Sequence, residues 1–190
     1  ETGYRGRSAG AIIEEIKKLK KDYRISFFAF ADELFMSTPD RTRELCEEII
    51  SSGINIKFFC NGRLNIAHID LLQLMKRAGC VFINYGIESL DDNVLEIMNK
   101  QLTVNQIVGG IENTIAAGIH PGFNIIFGNI GETKEILMKG VDFLLKYNTY
   151  SQLRTIRPVT PYPGSPLYYY AIKEGLLEGP KDFYERKHIN

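Results

Sequence analysis

Five apolar, strand-like runs alternate with amphipathic helical segments, and this alternation restricts the possible fold more than any other feature of the sequence. The runs cover residues 25–31, 54–60, 80–86, 120–127 and 151–159. Helical periodicity precedes the first run and separates each run from the next. Repeated strand–helix units of this kind predict a parallel sheet with right-handed crossovers. The sequence therefore predicts one α/β domain, built either as a barrel-type sheet or as an open, doubly wound sheet.

Capping signals predict where several helices begin. Ser8 is a suitable N-cap for the first helix. Two pairs, Ser89 with Asp92 and Thr103 with Gln106, have the spacing of capping boxes. The later helices are predicted at 38–53, 68–79, 90–99, 103–118, 132–147 and 165–177.

Charge and cysteine content exclude several classes of partner and site. Lys and Arg together number 23, as do Asp and Glu, so the net charge is zero. A neutral chain argues against nucleic acid or an anionic membrane as the main partner. No apolar run approaches the roughly 20 residues of a membrane-spanning helix. Cys46, Cys60 and Cys80 form no C-x-x-C pair, which favours a reducing, cytoplasmic setting over a disulfide framework.

Polar and glycine residues recur where the predicted strands end. They include Asp32, Glu33, Arg63, Glu88, Ser89, Gly128, Gly131 and Glu132. Because the carboxyl ends of parallel strands meet at one edge of a sheet, these residues are expected to surround a single mouth. Carboxylates there suit an ammonium group or ribose hydroxyls, and glycines allow close approach of a flat ring or an anion.

Each of these residues also has a purely structural interpretation. Asp32 and Glu33 suit a solvated loop, and Arg63 could form an ion pair with Glu88 across neighbouring strands. Ser89 could lead into a helix cap. The stretch "GNIGET", residues 128–133, could be a phosphate cradle, a plain tight turn or part of another pocket. These alternatives stay open from the residues alone.

The order of several motifs is more specific than any one of them. The motifs are "YRGRSAGAIIEEI", "FAFADELF", "NGRLN", "LMKRAGCVFINYGIESLDDNVLEIMNK", "FGNIGET" and "PVTPYPGSPLYYYAIKEGLL". In this order the chain resembles the radical S-adenosyl-L-methionine (SAM) superfamily. More narrowly, it is similar to the group with methylthiotransferases, cobalamin-associated methyltransferases and the oxygen-independent ring cyclase of chlorophyll synthesis. The resemblance implies a partial TIM-type (β/α)6 barrel, with its second to sixth units at 1–178 and a C-terminal extension starting at 179–190.

The resemblance also implies cofactors. In the family, a CxxxCxxC loop after the first strand holds a [4Fe–4S] cluster that binds SAM and cleaves it to a 5′-deoxyadenosyl radical. Cobalamin-associated members carry cobalamin on a separate domain. This chain has no CxxxCxxC motif, so the cluster cysteines and the first strand are expected upstream of Glu1 in a longer parent protein. The chain alone, with no metal site of its own, is then expected to be an inactive fragment.

Nine residues match family positions that contact SAM. They are Asp32, Glu33, Arg63, Glu88, Ser89, Ile126, Gly128, Gly131 and Glu132. The first two match the motif beside the SAM amino group, and Glu88 with Ser89 matches the motif near the ribose and methionyl end. Residues 126–132 match the motif beside adenine, although Ile130 stands where the family usually has proline. Arg63 matches a position that contacts SAM or the substrate. The resemblance implies that the turn 161–166 lies near adenine or the barrel floor. No catalytic residue is assigned.

Two other functions and one interaction complete the predictions. An ordinary TIM-barrel lyase would use a lysine near a strand end, but Lys57 lies in the first half of its strand. A non-catalytic binding scaffold is the third possibility. Without the first barrel strand, the run 25–31 would form an exposed sheet edge, which predicts dimerisation through that edge.

Overall fold

The computed structural model describes residues 6–32, 34–148 and 154–187 of the chain. Within these residues, five parallel strands form one sheet in chain order. The strands are β1 (Phe27–Ala29), β2 (Lys57–Gly62), β3 (Cys80–Glu88), β4 (His120–Phe127) and β5 (Arg154–Pro158). A doubly wound sheet would reverse its strand order at a switch point. The sheet instead curls into a half-barrel, so the predicted partial TIM-type barrel is confirmed.

Helices connect successive strands, as the alternation predicts. They are α1 (Ala9–Tyr23), α2 (Pro39–Ser51), α3 (Ile69–Arg77), α4 (Asp92–Ile97), α5 (Val104–Ala116), α6 (Lys134–Lys146), α7 (Pro166–Lys173) and α8 (Pro180–Asp182). A 3-10 turn covers Leu64–Ile66, and a π-helical turn covers Phe183–Lys187. Among the described residues, no helix combines the length and apolar character needed to cross a membrane.

Two of the three predicted helix caps are confirmed, and one is wrong. Ser8 accepts a hydrogen bond from the backbone of the first turn of α1. Thr103 and Gln106 form the predicted capping box of α5. Ser89 caps no helix, because β3 continues to Glu88 and α4 begins later, where Asp91 is the N-cap.

The two faces of the sheet differ in what covers them. On β3, Ile83, Tyr85 and Ile87 are fully buried, and the Tyr85 hydroxyl is 2.9 Å from the Thr114 hydroxyl of α5. The alternate residues of β3 point to the opposite face, because side chains of a strand alternate. We call this second face the luminal face. Strand pairing aligns on it Asn61 with Asn84, Asn84 with Gly122, and Gly86 with Asn124.

Strand β1 is shorter than the apolar run 25–31 that predicts it. It is only three residues long, lies at the edge of the described sheet and leaves Phe27 53% exposed. Ile25, just before it, is 37% exposed. An apolar run alone cannot distinguish a central strand from an edge strand, because the run does not encode how many neighbours the strand has.

Candidate functional site

A polar cleft of about 600 Å³ opens at the carboxyl ends of the central strands. Each of the strands β2, β3 and β4 contributes one asparagine to its lining: Asn61, Asn84 and Asn124, respectively. The connection between α4 and α5 forms one side of the cleft. Asn84 donates its amide to the Asn61 side-chain oxygen at 3.2 Å. The Asn84 Oδ1 atom is buried and has no hydrogen-bond partner among the described residues. Since buried acceptors are normally satisfied, this oxygen is suited to a donor on a bound molecule.

Glu88 lies beside this cleft and forms an ion pair with Lys100, not with Arg63. The Glu88 Oε1 and Lys100 Nζ atoms are 2.9 Å apart, and their side chains are only 13% and 30% exposed. Glu88 has a positive φ of 67°, which is uncommon for a residue with a side chain. Within the described structure, its Oε2 atom and the Ser89 hydroxyl are buried without hydrogen-bond partners. Counting Asn84, three unpartnered oxygens therefore lie in the carboxyl-terminal half of β3 and on the residue directly after it.

The "GNIGET" loop closes on its own glutamate. The Glu132 carboxylate accepts hydrogen bonds from the backbone N–H groups of Gly128 and Asn129. Gly128 and Gly131 have φ values of 84° and 82°, which glycine adopts readily. A phosphate cradle needs backbone N–H groups free to face an anion, and two of those in this loop are occupied. The loop is therefore a turn rather than a phosphate site, and Glu132 lies just before α6 rather than within it.

A second cavity of about 560 Å³ adjoins the polar cleft. It is lined by Asn129 and Ile130 of the "GNIGET" loop and by Ser165 and Pro166 at the start of α7, together with mostly apolar side chains. Both cavities share the residues at 98 and 99. The structure thus places the two segments expected near adenine, 126–132 and 161–166, against one cavity next to the polar cleft.

The remaining predicted site residues lie in different surroundings. Arg63 lines the polar cleft. The Asp32 carboxylate is exposed and accepts the Leu34 backbone N–H at 3.2 Å, while its carbonyl oxygen accepts the Asn61 amide. Ile126 is on the luminal face of β4, two residues beyond Asn124. Glu33 lies outside the described residues.

The sequence analysis did not identify Asn84, Asn124 or Lys100 as site residues. Asn84 and Asn124 lie inside otherwise apolar strands, and a single polar residue within such a run was the available signal. Lys100 follows α4 and is the last residue of the motif "LMKRAGCVFINYGIESLDDNVLEIMNK", but its contact with Glu88 is set by tertiary structure. Lys57, the alternative lyase residue, is at the first position of β2, at the opposite end from the cleft.

The three cysteines do not form a cluster site. Cys46, Cys60 and Cys80 are free and buried. Burial raises the pKa of Cys46 to about 12 and the pKa of Cys60 well above its ordinary value, so both thiols stay protonated at neutral pH. In the described part of the chain, no group of three or more His, Cys, Asp and Glu side chains is placed to hold a metal ion. The described residues therefore fit a small polar molecule but do not fit an iron–sulfur cluster.

Replacing Glu132 by alanine is expected to lower the free energy of unfolding by about 1–3 kcal/mol, because two loop N–H groups lose a charged acceptor. Glu132→Gln keeps one side-chain oxygen and should lose less. Urea unfolding of the two variants checks this order. Equal stability of Glu132→Ala and wild type would contradict the structural role of this carboxylate.

The chain is similar in sequence to a known protein family and to several curated proteins. Residues 1–144 match the model of the Radical SAM superfamily. An uncharacterised methyltransferase of Pyrococcus horikoshii is 31% identical over 175 residues, which cover 92% of this chain and 38% of the relative. The anaerobic magnesium-protoporphyrin IX monomethyl ester cyclase of Cereibacter sphaeroides is 30% identical over 169 residues, 87% of this chain and 27% of that enzyme. The chain thus spans less than half the length of these curated relatives.

A solved structure supports the same fold. The radical SAM methyltransferase TsrM of Kitasatospora setae, solved with cobalamin and a [4Fe–4S] cluster bound, aligns with a TM-score of 0.75. The alignment covers 88% of this chain and 32% of that one at 17% identity, so it shows likeness of fold alone. The family model covers well over half of the chain, and two relatives agree with it. The chain therefore belongs to the Radical SAM superfamily.

Proposed function

We propose that this chain is the SAM-binding barrel of a longer radical SAM enzyme. The observation that carries the proposal is the polar cleft, which Asn84 lines with a buried oxygen that has no partner among the described residues, while the unpartnered Glu88 oxygen lies beside it. SAM carries an ammonium group and ribose hydroxyls, which are the donors these acceptors lack. When bound and reduced at the cluster, SAM supplies a 5′-deoxyadenosyl radical that modifies a substrate.

The residues of the chain then divide the binding of SAM between the two cavities. Glu88, Asn84 and Ser89 accept hydrogen bonds from its polar end in the cleft. Arg63, which also lines the cleft, is placed for a carboxylate of SAM or of a substrate. The more apolar cavity beside Ile130 receives the adenine ring, against the backbone of the "GNIGET" loop. Asp32 and Glu33 keep the role that the family motif implies for them, contact with the amino group of SAM.

The [4Fe–4S] cluster is assigned to a part of the whole protein outside the described residues. The buried cysteines do not fit it, and the curated relatives are much longer than this chain. This chain by itself is then inactive. Reduced thiols also fit a cytoplasmic location, which belongs to the same proposal.

Methyl transfer with cobalamin from a separate domain is the reaction class we favour. The relative with 31% identity is named as a methyltransferase, and the structural neighbour TsrM binds cobalamin.

Titration calorimetry of the full-length, cluster-loaded protein with SAM tests the proposed site. We expect the wild-type protein to bind one SAM per barrel. An Asn84→Leu variant should bind SAM more weakly, because leucine lacks the unpartnered acceptor oxygen of Asn84. Unchanged affinity in this variant would place SAM elsewhere, and absence of SAM binding by wild type would exclude the function.

The exposed edge of β1 supports a second part of the proposal, pairing with a strand of another copy. Among the described strands β1 pairs with β2 alone, which leaves its other side open, and open edges readily add strands. We expect the 190-residue chain to dimerise, and Ala29→Pro to weaken the dimer by removing an N–H group that points to the open edge, since Ser26 and Phe30 are the neighbours that bond to β2. Light scattering after size-exclusion chromatography measures this. A wild-type chain that stays monomeric at high concentration would refute it.

A further inference from the structure

We propose that Lys100 is a positioning residue that fixes the Glu88 carboxylate so that its free oxygen can accept a hydrogen bond from bound SAM. The inference rests on the proposed function, because it concerns the same cleft. Lys100 lines the cleft, and its ammonium is 2.9 Å from Glu88 Oε1. The other oxygen, Oε2, is the buried atom without a partner among the described residues. One oxygen is therefore held while the other is left for a ligand.

The backbone around Lys100 is built to hold it in place. The α4 helix ends in a Schellman motif, in which the Lys100 N–H donates to the Leu95 carbonyl at 2.9 Å and the Asn99 N–H donates to the Glu96 carbonyl at 2.8 Å. Asn99 and Gln101, on either side of Lys100, both have a φ of 53°. Left-handed conformations at two residues with side chains cost free energy, so local preference alone does not explain the turn.

Gly86 makes room for this ion pair. A Cβ added at Gly86 would overlap the Glu88 Oε1 atom and lie 2.9 Å from Lys100 Nζ. Glu88 itself has a φ of 67° at the end of β3, which turns its side chain away from the regular strand direction. A glycine, a strained glutamate and a lysine on a capped turn thus combine to fix one carboxylate.

The surface pair between Lys139 and Asp91 offers a matched control. These side chains are 3.1 Å apart, but Lys139 is 57% exposed and lines neither cavity. Asp91 has a lowered pKa because Lys139 donates to it, so this pair is also charged and formed. A Lys139 substitution therefore removes an ion pair similar to that of Lys100 with Glu88 but changes no residue of the cleft.

The test is a double-mutant cycle on SAM affinity, measured by calorimetry with the full-length, cluster-loaded protein. We expect Lys100→Met to weaken binding about tenfold, Lys100→Arg to restore most of it, and Lys139→Met to leave it unchanged. In a Glu88→Gln background, Lys100→Met should cause no further loss. Thermal unfolding of each variant separates loss of binding from loss of fold.

A second ligand, 5′-methylthioadenosine, identifies which group of SAM donates to Glu88, because it keeps the ribose but lacks the amino acid part of SAM. If Lys100→Met weakens the binding of both ligands, the Glu88 oxygen accepts from the ribose. If it weakens the binding of SAM alone, the oxygen accepts from the ammonium group. The inference is overturned if Lys100→Met binds SAM like wild type, or if its effect is the same with and without Glu88. Failure of wild type to bind SAM would instead reject the proposed function.

Discussion

A Gly79→Ala variant is expected to lose roughly 3–5 kcal/mol of folding free energy, a large part of the total for a domain of this kind. Gly79 connects α3 to β3 with a φ of 106°, and an added Cβ would overlap the carbonyl oxygen of Ile56. The overlap is with backbone, so no side chain can rotate away from it. The Gly79 carbonyl also accepts the Phe58 N–H at 3.0 Å, where β2 and β3 begin to pair. Relieving the overlap would disturb that pairing.

Alanine substitutions at two other glycines separate the effect of the Cβ overlap from the effects of positive φ and of helix propensity. Gly53 has a φ of 66° but nothing near its Cβ position, so Gly53→Ala should lose only about 1–2 kcal/mol from backbone strain. Gly140 lies inside α6 with open space around it, so Gly140→Ala should gain about 0.5–1 kcal/mol. Urea denaturation measures all three changes. A Gly79→Ala protein as stable as Gly53→Ala would show that the backbone overlap is relieved at no cost.

Glu88→Gln is expected to weaken SAM binding about 10- to 100-fold, the range for losing a hydrogen bond to a charged group. Neutralising the carboxylate leaves Lys100 without its partner and removes the charged acceptor beside the cleft. Calorimetry on the full-length, cluster-loaded protein measures the change. Glu96→Gln, on the exposed side of α4, is the matched control and should bind SAM normally. Equal SAM affinities for Glu88→Gln and Glu96→Gln would show that Glu88 does not contact SAM.

Much of the fold could be predicted because local patterns and tertiary structure agree. Alternating strand and helix periods required a parallel sheet, and the capping box at Thr103 marks a real helix start. The strand-end rule selected Arg63 and the "GNIGET" loop, which line the two adjacent cavities. These features depend on sequence neighbours or on the general geometry of parallel sheets, so one sequence suffices to find them.

Other features depend on contacts between distant residues and could not be predicted. Helical spacing puts Leu137, Val141 and Leu145 on the apolar face of α6, but these residues are 39–60% exposed. Its apolar arc is wider than the surface it packs on, where Phe143 meets Phe123 at a ring distance of 5.3 Å. An ion pair of Glu88 with Arg63 was one structural possibility, yet the Schellman turn after α4 brings Lys100 to Glu88 instead.

The most direct measurement is anaerobic assay of the reconstituted, full-length protein for 5′-deoxyadenosine formed from SAM under reducing conditions. A radical SAM enzyme that uses this barrel should produce 5′-deoxyadenosine, and the Glu88→Gln protein with an equal cluster content should produce much less at limiting SAM. Wild-type protein that carries its cluster and binds SAM but forms no 5′-deoxyadenosine would contradict the account.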